Sequence, residues 1–199
     1  MMQAEQKEPR LGKPGDGLPL YEWALANYIM VPIRLRTTTP RQALDQFADE
    51  SGKIMAAASR LSPLELASRR LIPRLRGLED SSRFWSVAMT MQHLIIVNDR
   101  MKSLIVSLSN GIQVETDKPS STADVKPSAD VNPETICHEY RKNSDDFIAT
   151  ITGLAVDKFP ELKYAHPWFG PLNAQQWQVF APMHQQIHRN QIAEIIKRL

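Results

Sequence analysis

The sequence predicts an all-α protein, an antiparallel four-helix bundle with an extra N-terminal helix. Three observations carry this prediction. Apolar residues recur at helical spacing in four long segments, helix-capping residues precede several helical segments, and no segment shows the alternation of a half-buried strand. Four long amphipathic helices bury their apolar faces most economically as a bundle.

The length of 199 residues, 42% of them apolar, suits one domain with a sizeable core. We expect residues 1–17 to be a flexible tail because they are polar and rich in turn formers. Residues 18–39 are predicted to form an N-terminal extension, with a helix from Leu20 to Met30 that Pro32 ends or kinks. Residues 40–199 are expected to form the bundle.

Bundle helix one is predicted between Pro40 and Leu61, with Pro40 in its first turn. Ser62 and Glu65 then have the spacing of a capping box, which indicates a further short helical turn. The basic run at 69–76 alternates with apolar residues and is typical of a solvated face.

Helix two is predicted to start at Ser81 or Ser82 and to run to about Leu108, before the pair Asn110-Gly111. Residues 111–132 have no apolar period, so we expect an exposed loop and assign it no chemistry.

Helix three is predicted from Pro133 to Phe159, with His138 pointing away from its apolar stripe. Helix four follows Asn173, whose spacing to Gln176 again indicates a capping box, and it extends to the C-terminus.

Charge and cysteine content argue against several functional classes. A net charge of +2, from 24 basic and 22 acidic residues, gives no strong field, so we expect neither a nucleic-acid nor a membrane partner. The single cysteine, Cys137, excludes an internal disulfide and a thiolate cluster and is compatible with a reducing compartment. With no signal peptide and no membrane span recognisable in the sequence, we expect a cytoplasmic protein.

Three histidines indicate a metal site. His184 and His188 are four residues apart on helix four, so their imidazoles lean the same way. At about 100° per residue both lie at the centre of that helix's apolar face, and the same arithmetic places His93 on the inward face of helix two. We therefore expect the inward faces of helices two and four to converge on one ion. The spacing leaves open that each histidine is a separate, hydrogen-bonded core residue.

The histidine segments resemble a known family. Residues 83–94 read RFWSVAMTMQHL, which is similar to the second-helix signature of the DinB-like (DinB/YfiT-type) metalloenzymes, with a histidine eight residues beyond the tryptophan. Residues 166–177, HPWFGPLNAQQW, and 183–191, MHQQIHRNQ, resemble the fourth-helix region of an uncharacterised branch. The resemblance covers residues 40–199 and implies a divalent metal bound by His93, His184 and His188.

The resemblance further implies a small-molecule substrate, since some relatives are metal-dependent transferases or isomerases that use low-molecular-weight thiols. Three neutral imidazoles leave coordination positions open, as in catalytic zinc sites, so the ion is expected to activate a thiol or water for transfer or hydrolysis. Zinc or nickel is favoured, and iron or manganese also accepts imidazole ligands.

Three further residues are candidates for the chemistry. Arg100 lies two turns beyond His93 and is a candidate clamp for a substrate anion, His166 is a candidate fourth ligand or general acid/base, and Gln191 is a candidate partner for a ligand ring or bound water.

An alternative to the enzyme stays open. The chain is then a noncatalytic bundle with a structural metal or none, which acts by binding a partner. Exposed apolar helix faces are also compatible with a homodimer.

Overall fold

The structure, a computed structural model, describes residues 8–115 and 121–199. Its long elements are all helices, which confirms the all-α prediction. Helix α3 contacts α6 and α7, and α5 contacts the same two helices, so α7 lies against both α3 and α5. The helices are α1 (Leu20–Leu25), α2 (Val31–Thr37), α3 (Pro40–Ala58), α4 (Pro63–Ala67), α5 (Val87–Ser109), α6 (Ile136–Ile151) and α7 (Ala174–Ile196).

Two small antiparallel sheets accompany the helices, although the sequence shows no strand pattern. Strands of two or three residues are too short to display an alternation of apolar and polar positions. The pairs are β1 (Arg70–Leu71) with β2 (Phe84–Trp85), and β3 (Tyr164–His166) with β4 (Gly170–Leu172). The first sheet brings Trp85 to the start of α5, and the second forms a hairpin directly before α7.

Capping boxes fix where helices begin. At the start of α7, the Asn173 side chain accepts the Gln176 N–H at 2.9 Å and the Gln176 side chain accepts the Asn173 N–H at 3.0 Å. Ser62 and Glu65 make the same reciprocal pair before α4. Both capping boxes predicted from the sequence are therefore confirmed.

Helix α5 begins later than predicted. Its N-cap is Ser86, rather than Ser81 or Ser82, and the Ser86 hydroxyl accepts the Met89 N–H at 3.1 Å. The earlier serines lie in a 3₁₀ turn, Asp80–Ser82, and strand β2 separates this turn from the helix. Strand pairing with β1 thus overrides the helical pattern here.

The N-terminal extension continues past Pro32 to Thr37, so the proline does not end it. A π-helical turn, Ala26–Met30, joins α1 to α2. Proline lacks an N–H, and in an α-helix its ring collides with the carbonyl four residues earlier. The wider π turn moves that carbonyl, and Pro32 then occupies the first turn of α2.

The segment before α1 makes hydrogen bonds to the 79–80 region. The Gly12 N–H donates to Asp80 Oδ2 at 2.7 Å, and those of Gly15 and Gly17 donate to Glu79 Oε1 at 2.8 and 3.0 Å. Residues 1–7 of the predicted tail lie outside the described residues, and the division into tail, extension and bundle stays a prediction. Among the helices of residues 8–115 and 121–199, none has both the length and the apolar character of a membrane span.

A buried polar chain fixes how α7 is rotated against α5 and α6. The Tyr140 hydroxyl on α6 donates to Gln185 Oε1 at 2.7 Å, and Gln185 Nε2 donates to Asn98 Oδ1 on α5 at 2.9 Å. All three side chains are fully buried. Buried polar atoms are stabilised only where they are hydrogen-bonded. These two hydrogen bonds therefore fix the rotation of α7 and with it the direction in which the neighbouring His184 faces.

Replacing Tyr140 tests that chain. The substitution Tyr140→Phe leaves the buried Gln185 carbonyl oxygen without its donor, which is expected to lower the free energy of unfolding by about 1–3 kcal/mol. Urea denaturation measures the change. Tyr28→Phe, at a side chain that is 69% exposed, is the matched control and should leave the midpoint unchanged. Equal midpoints for the Tyr140 variant and the wild type would contradict a stabilising role for the chain.

Candidate metal centre

Three imidazoles from two helices meet inside the protein. His93 lies on α5, and His184 and His188 lie on α7. The Nε2 atom of His184 is 3.3 Å from that of His93 and 3.2 Å from that of His188. The candidate ligand atoms of the three residues all lie within 4.8 Å of one another. The structure therefore brings together the three histidines that the sequence singles out.

The protonation of His93 is fixed by a backbone carbonyl. Its Nδ1 lies 2.8 Å from the Val125 carbonyl oxygen, which can only accept a hydrogen bond. Nδ1 must therefore carry the proton. Burial lowers the pKa of His93 to about 4, so the ring is neutral at pH 7 and its Nε2 presents a lone pair.

Gln191 fixes His188 in the same way. Its Nε2 donates to the Ser82 carbonyl oxygen at 2.7 Å, which orients the amide so that Oε1 faces the imidazole. His188 Nδ1 lies 2.7 Å from that Oε1 and must donate to it. Burial holds the pKa of His188 well below its ordinary value, so its Nε2 also presents a lone pair. Gln191 therefore contacts the ring of His188, and its role as the partner of a metal ligand stays a prediction.

Two lone pairs thus point at the Nε2 of His184. A proton on that nitrogen can satisfy them only by being shared, and the His184 Nδ1 is buried without a hydrogen-bond partner in the described part of the chain. Burial, followed by the neighbouring His188 and His93, keeps the pKa of His184 well below its ordinary value. A cation at the point where the three nitrogens meet would accept a lone pair from each ring.

A divalent ion fits that point. Tetrahedral coordination with metal–nitrogen bonds of about 2.0–2.1 Å separates the ligand nitrogens by about 3.3–3.4 Å. The Nε2 atom of His184 lies 3.2 Å from that of His188 and 3.3 Å from that of His93, and both distances agree with this spacing. Trp85 packs against the rings of His93 and His188, with centroid distances of 5.2 and 6.3 Å, and shields them from water.

The three histidines line a cavity of about 790 Å³. Its wall is mostly apolar and includes the aromatic side chains of the β3–β4 hairpin and of the first half of α7. A site of this kind can hold a small organic molecule against the imidazoles. Apolar residues that line the cavity include Trp85, Val97, Leu104, Phe169, Trp177 and Phe180.

His166 also lines the cavity, but it does not belong to the histidine cluster. Its Nδ1 accepts the Trp168 N–H at 3.1 Å across the hairpin turn, which occupies that lone pair. Burial lowers the pKa of His166 to about 3, so the neutral ring carries its proton on Nε2. Within the described residues His166 is therefore placed as a hydrogen-bond donor.

The Arg100 side chain is hydrogen-bonded to the loop at residue 124. Its Nη2 donates to the Asp124 carbonyl oxygen at 2.7 Å, and the side chain is exposed at the cavity's edge. One guanidinium N–H is thus already used to hold the loop. A clamp on a substrate anion remains a prediction for the other N–H groups.

Sequence reasoning missed the loop's contribution to the site. We expected 111–132 to be exposed and without chemistry, yet the 3₁₀ turn Thr122–Val125 supplies the carbonyl that orients His93. A backbone carbonyl has no sequence signature. The one available signal was the spacing of Ser121 and Asp124, which form a capping box that starts this turn.

Comparisons with known proteins identify related sequences and folds. The family model described as the DinB superfamily matches residues 46–192. Among solved structures, the colibactin self-resistance protein ClbS in complex with dsDNA is similar, with a TM-score of 0.53 and 12% sequence identity. The match covers 80% of this chain and 95% of that one, and it shows the fold. No curated protein matches the chain.

The ClbS complex corrects one prediction. We excluded a nucleic-acid partner from the net charge of the chain, and this exclusion is wrong, because a protein of similar fold has been solved with dsDNA bound. Net charge is a sum over the whole surface, whereas binding depends on the local arrangement of charges.

The desolvation of the His166 ring predicts a pH dependence of stability. The unfolded chain, with a histidine pKa of about 6.5, binds this proton more readily than the folded chain does. The contribution of His166 to stability is therefore fully present above about pH 6.5 and declines as the pH falls towards 3. Between pH 7 and 5, metal-free His166→Phe should lose about 1–2 kcal/mol less unfolding free energy than the wild type.

Urea denaturation at the two pH values measures this difference. His138→Gln, at an exposed position, is the control and should lose as much stability as the wild type. An equal loss in all three proteins would show that His166 takes up a proton as easily in the folded as in the unfolded chain.

Proposed function

Since the chain belongs to the DinB superfamily, we propose that it is a metal-dependent enzyme in which His93, His184 and His188 hold one divalent ion. The observation that carries this proposal is the pair of imidazole lone pairs, fixed by Val125 and Gln191, that face His184 Nε2. The scaffold we propose is an antiparallel four-helix bundle of α3, α5, α6 and α7.

The ligand set favours zinc or nickel. Neutral imidazoles bind both ions well, and they also accept iron and manganese. Three protein ligands leave further coordination positions open, which is typical of catalytic and not of structural zinc sites. When bound, such an ion supplies Lewis acidity that lowers the pKa of a coordinated thiol or water towards neutrality.

The chain's own residues would prepare the reaction. The apolar wall, with Trp85 against two ligand rings, excludes bulk water and so strengthens electrostatic interactions within the cavity. Gln191 holds His188 in the tautomer that a ligand needs. His166 offers an N–H with which it would orient an acceptor atom of the substrate, and it has no free lone pair on Nδ1 with which to act as a fourth ligand.

The reaction class that this arrangement supports is transfer or hydrolysis by an activated thiol or water. The cavity volume of about 790 Å³ is within the range of small-molecule sites. We propose a small organic substrate that lies along the aromatic wall, with its reacting atom at the histidines.

The second candidate is a noncatalytic bundle with a structural metal or none, which acts by binding a partner. ClbS has been solved in complex with dsDNA, which makes duplex DNA the first partner to test. A binding protein of this type needs no exchangeable position on the ion.

Cobalt substitution separates the two candidates. Wild-type protein loaded with Co²⁺ should show a sulfur-to-cobalt charge-transfer band when 2-mercaptoethanol is added, because the thiolate enters an open position. His188→Ala should lose the cobalt spectrum, and the exposed-site control His138→Ala should keep it. A cobalt spectrum that neither the thiol nor a change of pH alters would contradict the enzyme, and binding of a labelled DNA duplex by that protein would favour the second candidate.

A further inference from the structure

Glu79 is a buried carboxylate outside the histidine cluster. Its side chain is 6% exposed and makes no ion pair within the described residues. Its oxygens accept hydrogen bonds from the Gly15 and Gly17 N–H groups at 2.8 and 3.0 Å, from the Ser81 hydroxyl at 2.8 Å and from the Thr122 hydroxyl at 3.1 Å. Four donors thus replace the water that an ionised carboxylate requires.

Two of these donors come from the segment before α1. Gly15 and Gly17 have φ values of 98° and 77°, a backbone conformation that glycine adopts without strain. The chain can therefore curl around the carboxylate and direct both N–H groups at one oxygen. The same segment lies beside the loop at residue 121, since a Cβ on Gly15 would be 3.7 Å from the Ser121 hydroxyl.

A third donor leads to the histidines. Thr122 is the first residue of the 3₁₀ turn Thr122–Val125, and the carbonyl of Val125 accepts the His93 Nδ1–H. The turn is only four residues long, so an anchor at Thr122 restricts the position of Val125. A path of direct contacts therefore runs from Glu79 through this turn to His93.

The segment before α1, the helix α1 and the turn form one cover, which we define as residues 12–25 and 121–125. Pro14, Leu18 and Leu25 line the cavity from the first part, and Thr122 and Val125 line it from the second. The Trp23 Nε1–H donates to the Trp168 carbonyl oxygen at 3.0 Å and fastens the first part to the β3–β4 hairpin. Glu79 is in hydrogen-bond contact with both parts.

We propose that Glu79 is a positioning residue of the metal centre: it joins the two parts of the cover and thereby holds the Val125 carbonyl against His93. The role in metal binding rests on the proposed function, whereas the role in orienting His93 does not. It gives the two parts of the cover, residues 12–25 and 121–125, a common role.

The Glu79 carboxylate accepts from all four groups at once. In Glu79→Gln one oxygen remains. The NH₂ group then faces either the two glycine N–H groups, which can only donate, or the Ser81 and Thr122 hydroxyls, which must turn their protons away and accept. In both orientations the charge-assisted hydrogen bonds are lost, so the cover should be held less tightly. Thr122→Val removes only the contact to the turn and leaves the two glycine contacts in place.

Glu22 provides a matched control. It is also 6% exposed and anchors α1 through an ion pair with Arg74 and through the Gly77 N–H, and within the described residues its hydrogen bonds do not reach the turn. Glu22→Gln should therefore disturb the extension without changing the surroundings of His93. Both variants lose a buried carboxylate, and only Glu79→Gln loses one that contacts the turn.

The first readout is the ¹⁵N NMR spectrum of the histidines in the metal-free protein. We expect His93 to be the Nδ1–H tautomer in the wild type and in Glu22→Gln, and a mixture of tautomers in Glu79→Gln and Thr122→Val. The Gly15 and Gly17 amides should exchange faster in Glu79→Gln and at the wild-type rate in Thr122→Val. A general loss of stability would not separate the two variants in this way.

The second readout is zinc affinity, measured by competition with a chromophoric chelator. Glu79→Gln and Thr122→Val should bind zinc about tenfold more weakly than the wild type, the lower end of the range for residues that orient a ligand. Glu22→Gln should bind as the wild type does.

An unchanged His93 tautomer in both Glu79→Gln and Thr122→Val would overturn the proposal, even if the glycine amides exchange faster. If Glu79→Gln does not fold, Thr122→Val decides alone. If the wild type binds neither zinc nor nickel, the proposed function fails, and the tautomer readout still decides whether Glu79 positions His93.

Discussion

The organisation of the site depends on the convergence of three imidazoles, of which those of His93 and His188 are buried and that of His184 is partly buried. His93 and His188 each donate a hydrogen bond from their Nδ1–H to an oxygen that accepts it. This acceptor is the backbone carbonyl of Val125 for His93 and the side-chain amide oxygen of Gln191 for His188. Their remaining lone pairs then face the third ring at 3.2–3.3 Å. Such an arrangement is unfavourable without a positive centre, because unpaired polar atoms in an apolar interior cost free energy.

The surrounding helices and loops hold the histidines in this arrangement. Hydrogen bonds that join Tyr140, Gln185 and Asn98 fix the rotation of α7, so that the histidines near Gln185 face α5. The aromatic hairpin and the N-terminal extension close the space around the histidines. A site of this type needs both a rigid scaffold, which holds the ligands, and a cavity that admits a substrate. The cavity beside the histidines is the reason for preferring an enzyme to a structural metal protein.

The histidines could be predicted from the sequence because helical periodicity is a local property. The i, i+4 spacing of His184 and His188 and the inward position of His93 follow from about 100° per residue. Of the groups that orient them, Gln191 is a candidate from its position one turn beyond His188, whereas the two backbone carbonyls could not be predicted. Val125 and Ser82 act through backbone carbonyls, and Val125 lies 32 residues from His93 along the chain. Tertiary contacts of this kind are determined by loop conformations, and loops have no periodicity.

Metal content tests the central claim most directly. Tag-free wild-type protein, reconstituted with zinc or nickel and dialysed, would be compared with His184→Ala and with the exposed-site control His138→Ala by inductively coupled plasma mass spectrometry. A shared histidine site predicts near-stoichiometric metal in the wild type and in the control, and its loss in His184→Ala. Folded wild-type protein that retains neither ion, or a His184→Ala protein that retains as much as the wild type, would contradict a metal centre at these three histidines.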